Sequence, residues 1–434
     1  MNRRTFVGRT LLTGAALAAN GLTGAEPVEP ASPRPLILGA PLTHSDWILK
    51  PGMAWGLDGV RHMLDQCKEC GWTRVYWRVL DGGRALYRSK LLRPQGKWDD
   101  DNFWQPQTEE DRALLERFTP GMSPERRAEL LKKFQALDYA GFDTLAAAVR
   151  YGRQIGLEIH AWVSINEDDH GWGIRSEFSK KHPEFRWRKR DGTMYHSQLS
   201  FAFRDVRQYK LAILEEILGY DISGIFLDWI RTGDVRDNPQ TDSAGVADSG
   251  YEALAPFKKK YGVDPHEVPN GDERWVRLRA EPQTEFMRAA RDLVRDDRRR
   301  LPNAALVNHP WHYRGEQNKI DGNLRGLLLD VKTWAREGLV DSVVPAGYYR
   351  DGGNAELAWR ALREETEGKV NVWTYAWVPT KPAEAGEACA LADKVGASQV
   401  LFWEADYIDD RTNAQAIKAA LRQRAVPAKL QPSK

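Results

Sequence analysis

Along this chain, short runs of β-branched, aliphatic and aromatic residues alternate with stretches whose apolar positions recur at helical spacing. The short runs are Leu36–Pro41, Thr73–Leu80, Leu157–Asn166, Ile222–Trp229, Ala304–Pro310, Val340–Tyr348, Val370–Trp377 and Ala397–Trp403. Their near-continuous apolar character is that of strands buried on both faces. Helical patterns lie between them at Leu57–Cys70, Phe142–Ile155, Val206–Leu218, Pro282–Arg300, Leu327–Glu337, Ala355–Glu367 and Pro382–Val395, and a last one follows at Asn413–Arg424. Gly71, Gly156, Gly219, Gly338, Gly368 and Gly396 stand where these patterns stop, as left-handed C-caps do.

Strands that alternate with helices in this way pair in parallel through crossover connections. Eight such units predict an α/β fold closed as a (β/α)8 TIM barrel. The alternative, a doubly wound open sheet, carries a Gly-rich phosphate loop after its first strand, and "ILGAPLTHSDW" is not one. Link lengths also favour the barrel. Helix-to-strand links are short, whereas Asp81–Gly141, Glu167–Asp205, Arg231–Glu281 and Trp311–Gly326 are long strand-to-helix links. All the inserted chain therefore falls on the C-terminal face, where barrel active sites are built.

The strand tips would then share one rim. They supply Arg78 and Asp81; His160, Trp162, Asn166 and the acidic run Glu167–His170; Asp228 and Arg231; Asn308, His309, Trp311 and His312; Tyr348, Tyr349 and Asp351; Trp373, Tyr375 and Trp377; and Trp403, Glu404 and Asp406. Asp228 ends the apolar run "GIFLD", where a carboxylate loses water and needs a partner. Arg231 is a local partner and Arg78 one across the barrel; a purely structural ion pair is the plainer reading of the same residues. Glu404 repeats the logic at the end of "VLFWE", with Asp406 competing for its role. The acidic run "EDDH" reads either as a solvated loop or as a specific substrate or metal contact.

Composition narrows the partners. The chain has 434 residues, with 63 basic and 61 acidic side chains that nearly cancel, so no global field recruits nucleic acid or an anionic membrane. The basic run Arg295–Arg300 reads as a solvated helix end. Seventeen Trp are consistent with a cleft that stacks on sugar rings, although Trp also fills cores. Arg3, Arg4, Phe6, the apolar stretch Leu11–Ala19 and the small residues ending at Ala25 resemble a twin-arginine export signal, residues 1–25. That stretch is short for a membrane span, so no stable insertion is expected after cleavage. A linker (26–35), the barrel (36–424) and a disordered tail (425–434) complete the expected organisation. Cys67 and Cys70 sit on an amphipathic helix and read as packing residues; with Cys389 they leave no second pair for a zinc site.

Two carboxylates on an aromatic-lined rim suit glycosidic bond cleavage. One protonates the leaving oxygen, while the other attacks the anomeric carbon or activates water. No nucleophile-elbow glycines support a Ser-His-Asp hydrolase. His309 and His312 lack the H-x-H partner that barrel metal sites use, so neither metal nor cofactor is expected.

At "SGIFLDWIRTG" the chain resembles the glycoside-hydrolase-like family 10 group of bacterial barrels, distant relatives of the α-glycosidase-type barrels. "GLVDSVVPAGYY" and "RVYWRVLDGGRALY" are similar to that group as well. The resemblance implies that the strand-four aspartate, Asp228, is the nucleophile. In several such relatives the acid ends strand five or six. Here those strands read "NHPW" and "AGYY", with no carboxylate before Asp351, so Glu404 is taken as the second carboxylate from its own position. The expected carbohydrate contacts are Arg78, His160, Trp162, Asn166, Glu167, Arg231, Asn308, His309, Trp311, Tyr348, Trp373, Trp403 and Asp406. A carbohydrate-binding barrel without chemistry and a metal-dependent hydrolase using "EDDH" and "HPWH" are the competing readings.

Overall fold

The eight apolar runs form strands β1 (Ile37–Leu42), β2 (Arg74–Asp81), β3 (Glu158–Ser164), β4 (Gly224–Asp228), β5 (Asn303–Asn308), β6 (Ser342–Ala346), β7 (Asn371–Val372 and Thr374–Trp377) and β8 (Gln399–Trp403). The structure is a computed structural model that describes residues 36–43, 53–95, 105–171, 174–228, 230, 249–296, 301–308, 322–346, 352–403, 408 and 412–425. Among these, each strand pairs in parallel with the next, and β8 returns to β1. β7 is interrupted at Trp373: its first part pairs with β6 and its second with β8, so the ring closes within that strand. The Trp373 amide still donates to the Val343 carbonyl across the break, at 3.0 Å. The fold is the expected (β/α)8 barrel.

The crossover helices are α1 (Leu57–Glu69), α2 (Thr144–Ile155), α3 (Arg204–Leu218), α4 (Glu273–Asp296), α5 (Val331–Glu337), α6 (Gly352–Glu365), α7 (Pro382–Val395) and α8 (Ala414–Arg422). α1 turns Val60, Met63, Leu64 and Cys67 inward, one face of a 3.6-residue repeat. α2 starts where the Asp143 side chain accepts from the Ala146 amide and stops at Gly156, whose φ of 73° only glycine adopts without strain. The chain ends of the barrel meet where the Leu36 amide donates to the Arg424 carbonyl.

Three local expectations need correction. Gly219 ends α3 in the right-handed region, with φ −65°, so it is not a left-handed cap. α4 begins at Glu273 and carries Pro282 inside, not at its first turn. The run Leu327–Glu337 is not one helix. Gly322–Leu327 stops at Leu328, which is buried with φ 58°, and α5 restarts when Asp330 accepts from the Thr333 amide.

Two apolar layers result. One lies between the ring and the helices. The other fills the barrel itself and includes Tyr76, Trp162, Phe226, Trp373, Tyr375 and Leu401. Below it, at the N-terminal ends of the strands, Arg74 donates to Glu158 (2.8 Å) and Gln399 (2.9 Å), and Gln399 Nε2 donates to the Tyr76 hydroxyl. The strand-four glycine has a reason here. A Cβ on Gly224 would lie 2.2 Å from Nδ1 of His160, so the ring of His160 occupies the space a side chain would need.

The long strand-to-helix links are structured where described. After β2 come helices Glu109–Phe118 and Pro124–Gln135; after β3, the hairpin Arg186–Arg188 with Met194–Leu199; after β4, helix Leu254–Tyr261. Among the described residues no helix is long and apolar enough to cross a membrane. Residues 1–25, the linker up to Pro35 and residues 426–434 lie outside the described residues.

Candidate active site

Asp228 is the last residue of β4, level with Ser164 of β3, and its carbonyl accepts from the Ile165 amide at 3.0 Å. Side chains two apart on a strand share a face, so Trp162 and Ser164 point the same way, toward the barrel axis. Trp162 Nε1 donates to Asp228 Oδ2 at 2.8 Å. Asp228 is 4% exposed. Beside it, Ser164 Oγ is buried and has no hydrogen-bond partner among the described residues.

Arg78 of β2 covers the other side of Trp162, its guanidinium carbon 4.8 Å from the ring centroid. Arg78 Nη2 meets Glu167 Oε2 at 2.6 Å and Asp81 Oδ1 at 3.2 Å, and its Nε donates to the Leu80 carbonyl at 3.2 Å. Gln95 Nε2 completes Asp81 with a donation of 2.7 Å. All of these side chains are buried. The register of β2 against β3 shifts between Arg78 and Leu80, a bulge that re-aims the end of β2 toward this cluster. Trp403 closes the aromatic group: its ring stands edge-on to Trp162 at 5.3 Å and 6.0 Å from Tyr375.

The acidic run after β3 is not solvated, which removes the solvated-loop alternative read from sequence. Glu167, Asp168 and Asp169 are all buried, and the first two have counter-charges that arrive from elsewhere in the chain. Glu167 has Arg78; Asp168 Oδ1 meets Lys210 Nζ of α3 at 2.9 Å and its Oδ2 accepts from the Leu199 amide; Asp169 faces His196 at 3.3 Å. Asn166 is buried in the same turn and its carbonyl accepts from Gln198 Nε2. Lys210 and Gln95 were missed. The signal for Lys210 was its position on the apolar face of α3 between Val206 and Ile213.

His160 is one layer lower than expected for a rim residue. It is buried beside Tyr76 and its Nε2 faces Glu158 at 3.4 Å, at the floor of the barrel. Burial, and then the nearby charge of Arg74, pulls its pKa down to about 4, so the ring is neutral at pH 7. Burial pulls Glu158 up, but His160 and Arg74 outweigh it and bring it to about 2. Since His160 is uncharged above about pH 4, Arg74 is the cation that holds Glu158 ionised at neutral pH. Trp373 is also internal, stacked 6.5 Å from Phe226. Asn308 ends β5 opposite Ala346. Arg231, His309, Trp311, Tyr348, Glu404 and Asp406 lie outside the described residues.

Among the described residues no three His, Cys, Asp or Glu side chains gather as a metal site would need. Two clefts lie away from the strand tips. One of about 500 Å3 borders Arg291, Leu301 and Asp341 at the N-terminal ends of β5 and β6. Another of about 730 Å3 lies between the two helices inserted after β2.

A closed parallel barrel whose buried aspartate stands at the tip of β4 among aromatic rings is a glycosidase-type barrel. The chain belongs to the glycosyl hydrolase-like 10 family, whose sequence model matches residues 123–381, more than half its length. No relative among curated proteins matches the chain. Among solved structures it is similar to the catalytic domain of β-amylase from Paenibacillus polymyxa, at 10% identity and a TM-score of 0.51, over 92% of this chain and 100% of that one. It also matches β-galactosidases from the psychrophilic Marinomonas ef1 (10% identity, TM-score 0.46, 89% of this chain and 59% of that) and from Bacillus circulans sp. alkalophilus (11%, 0.47, 85% and 50%). The β-amylase likeness is one of fold, and the match spans nearly the whole of both chains.

Proposed function

We propose that this protein is an exported glycoside hydrolase that cleaves a poly- or oligosaccharide with Asp228 and Glu404 as its pair of carboxylates. One observation carries the reading: Asp228, at the tip of β4, is held by an indole N–H among aromatic rings, beside the Ser164 hydroxyl, which has no partner among the described residues. An aromatic surface suits the apolar face of a sugar ring, and a water-poor carboxylate suits attack on an anomeric carbon or on its water. Glu404 enters from its place in the chain, directly after Trp403. Glu167 is already bound by Arg78, so Glu404 is taken as the second carboxylate. Trp403, half-buried at the end of β8, is the ring placed to meet a glycan. Export rests on Arg3, Arg4 and the apolar stretch up to Ala19, and the family supports the carbohydrate substrate.

The test is a hydrolysis screen over a glycan panel with the wild type and Asp228→Asn. A loss of roughly a hundredfold to ten-thousandfold in kcat in the variant supports the reading. Equal activity in both proteins removes Asp228 from the mechanism. Binding without turnover by the wild type would make the barrel a carbohydrate-binding protein.

A further inference from the structure

We propose that Trp162 is a positioning residue for Asp228: its indole N–H sets the rotation of the carboxylate and keeps it ionised, with the Arg78 guanidinium as electrostatic backing. The inference rests on the reading of Asp228 as the reactive carboxylate.

An indole nitrogen is a donor only. It can hold a carboxylate but neither take a proton from it nor give one, so the contact favours the charged acceptor over the neutral acid. A backbone amide or a lysine would do the same, but the indole here is fixed in a particular way. One face carries the Arg78 guanidinium at 4.8 Å, the Trp403 ring stands against it at 5.3 Å, and the side chain is 6% exposed. Arg78 in turn is clamped by Glu167, Asp81 and the Leu80 carbonyl. A cation over the ring draws electron density from it and makes the N–H a stronger donor, the kind of mutual polarisation that linked polar groups show at low dielectric. Five side chains from β2, β3, β4 and the turn after β3 thus connect in sequence: Asp81 and Glu167 to Arg78, Arg78 to Trp162, Trp162 to Asp228.

Among the described residues, the other charged side chains near Asp228 have their own places. On β2 they are Arg78 and Asp81, already paired. After β3 comes Glu167, bound to Arg78, and lower on β3 are His160 and Glu158, at the barrel floor. β5 brings no titratable residue within Asn303–Asn308, and β8 brings none within Gln399–Trp403. A Trp that merely filled the core would pack as well with its nitrogen turned elsewhere, and its loss would not alter how Asp228 titrates.

Trp162→Phe keeps a ring between Arg78 and Trp403 and removes the N–H. On a glycan that the wild type cleaves, we expect kcat to fall roughly tenfold to a hundredfold while KM stays within about twofold. The acidic limb of the pH–rate profile should move up by about one to two pH units, the size of a lost hydrogen bond to a charged group. An acidic limb that coincides with the wild type's overturns the proposal, whatever happens to kcat. A second measurement covers a variant that does not fold and a protein for which no glycan is found. In wild type, one indole N–H resonance should titrate with Asp228, and Asp228→Asn should displace that resonance and remove its pH dependence. An indole signal that still titrates in Asp228→Asn, or none that titrates in wild type, overturns the proposal. A protein that cleaves no glycan yet shows the titrating indole loses the glycosidase reading and keeps the Trp162–Asp228 link.

Discussion

Lys210 Nζ lies 2.9 Å from Asp168 Oδ1, and neither side chain has any exposed surface. A buried pair of this kind does not by itself make a fold more stable than an apolar pair would, but removing one partner strands the other charge. Lys210→Met should therefore cost about 3 to 5 kcal/mol of unfolding free energy, measured by urea denaturation. Asp168→Leu in the same chain should recover much of it, because the stranded carboxylate is then gone as well. If Lys210→Met costs less than about 1 kcal/mol, the pair is not what seats the acidic turn that carries Glu167.

Gly224 faces the ring of His160 so closely that a methyl group would sit 2.4 Å from Cε1. Gly224→Ala should destabilise the barrel by about 1 to 3 kcal/mol through overpacking. In a His160→Ala background, the same methyl should cost less than about 0.5 kcal/mol, since the obstructing ring is absent. Equal costs in both backgrounds would mean that the glycine is required for another reason.

Much of the fold was legible from alternation alone, because strands sealed inside a parallel barrel must be apolar on both faces and glycine must end most of their helices. The errors fall where a distant residue decides. Pro282 looked like a first-turn proline, yet α4 runs through it from Glu273. Leu328 breaks a helix that its own apolar pattern would continue, and it does so while fully buried. In the site, Asp228 was visible as a carboxylate ending an apolar run. Its Trp162 partner stands on another strand, and the contact depends on the register of β3 against β4. The burial of the acidic turn was not legible for the same reason: Arg78 and Lys210, which allow it, come from β2 and α3.

His160 supplies a pH signature. Its folded pKa of about 4 lies below the value of about 6.5 that it regains on unfolding, so between these values the unfolded chain binds more protons. Stability from this group is complete above about pH 6.5 and is lost as pH falls toward 4, a change of roughly 3 kcal/mol. Glu158, depressed to about 2, adds a loss in the same direction that begins lower, as pH falls through about 4.5. Denaturation curves at several pH values should show His160→Asn with a flatter slope between about pH 4.5 and 6.5 than wild type. The same slope in both proteins would assign the acid sensitivity elsewhere.

Ser164 couples stability to function in the opposite sense. Its Oγ is buried beside Asp228 without a hydrogen-bond partner among the described residues, and a buried hydroxyl left unpaired costs about 1 to 3 kcal/mol relative to a satisfied or absent one. A fold retains such a group most readily where a bound water or a substrate hydroxyl completes it. Ser164→Ala should thus raise the unfolding free energy by about 1 kcal/mol while lowering kcat/KM on a cleaved glycan roughly tenfold. Thermal denaturation and steady-state kinetics on the same preparation read both quantities. A variant that is more stable and equally active would make the unpaired hydroxyl a packing compromise, whereas one that is less stable would show that Ser164 has a partner in the folded barrel after all.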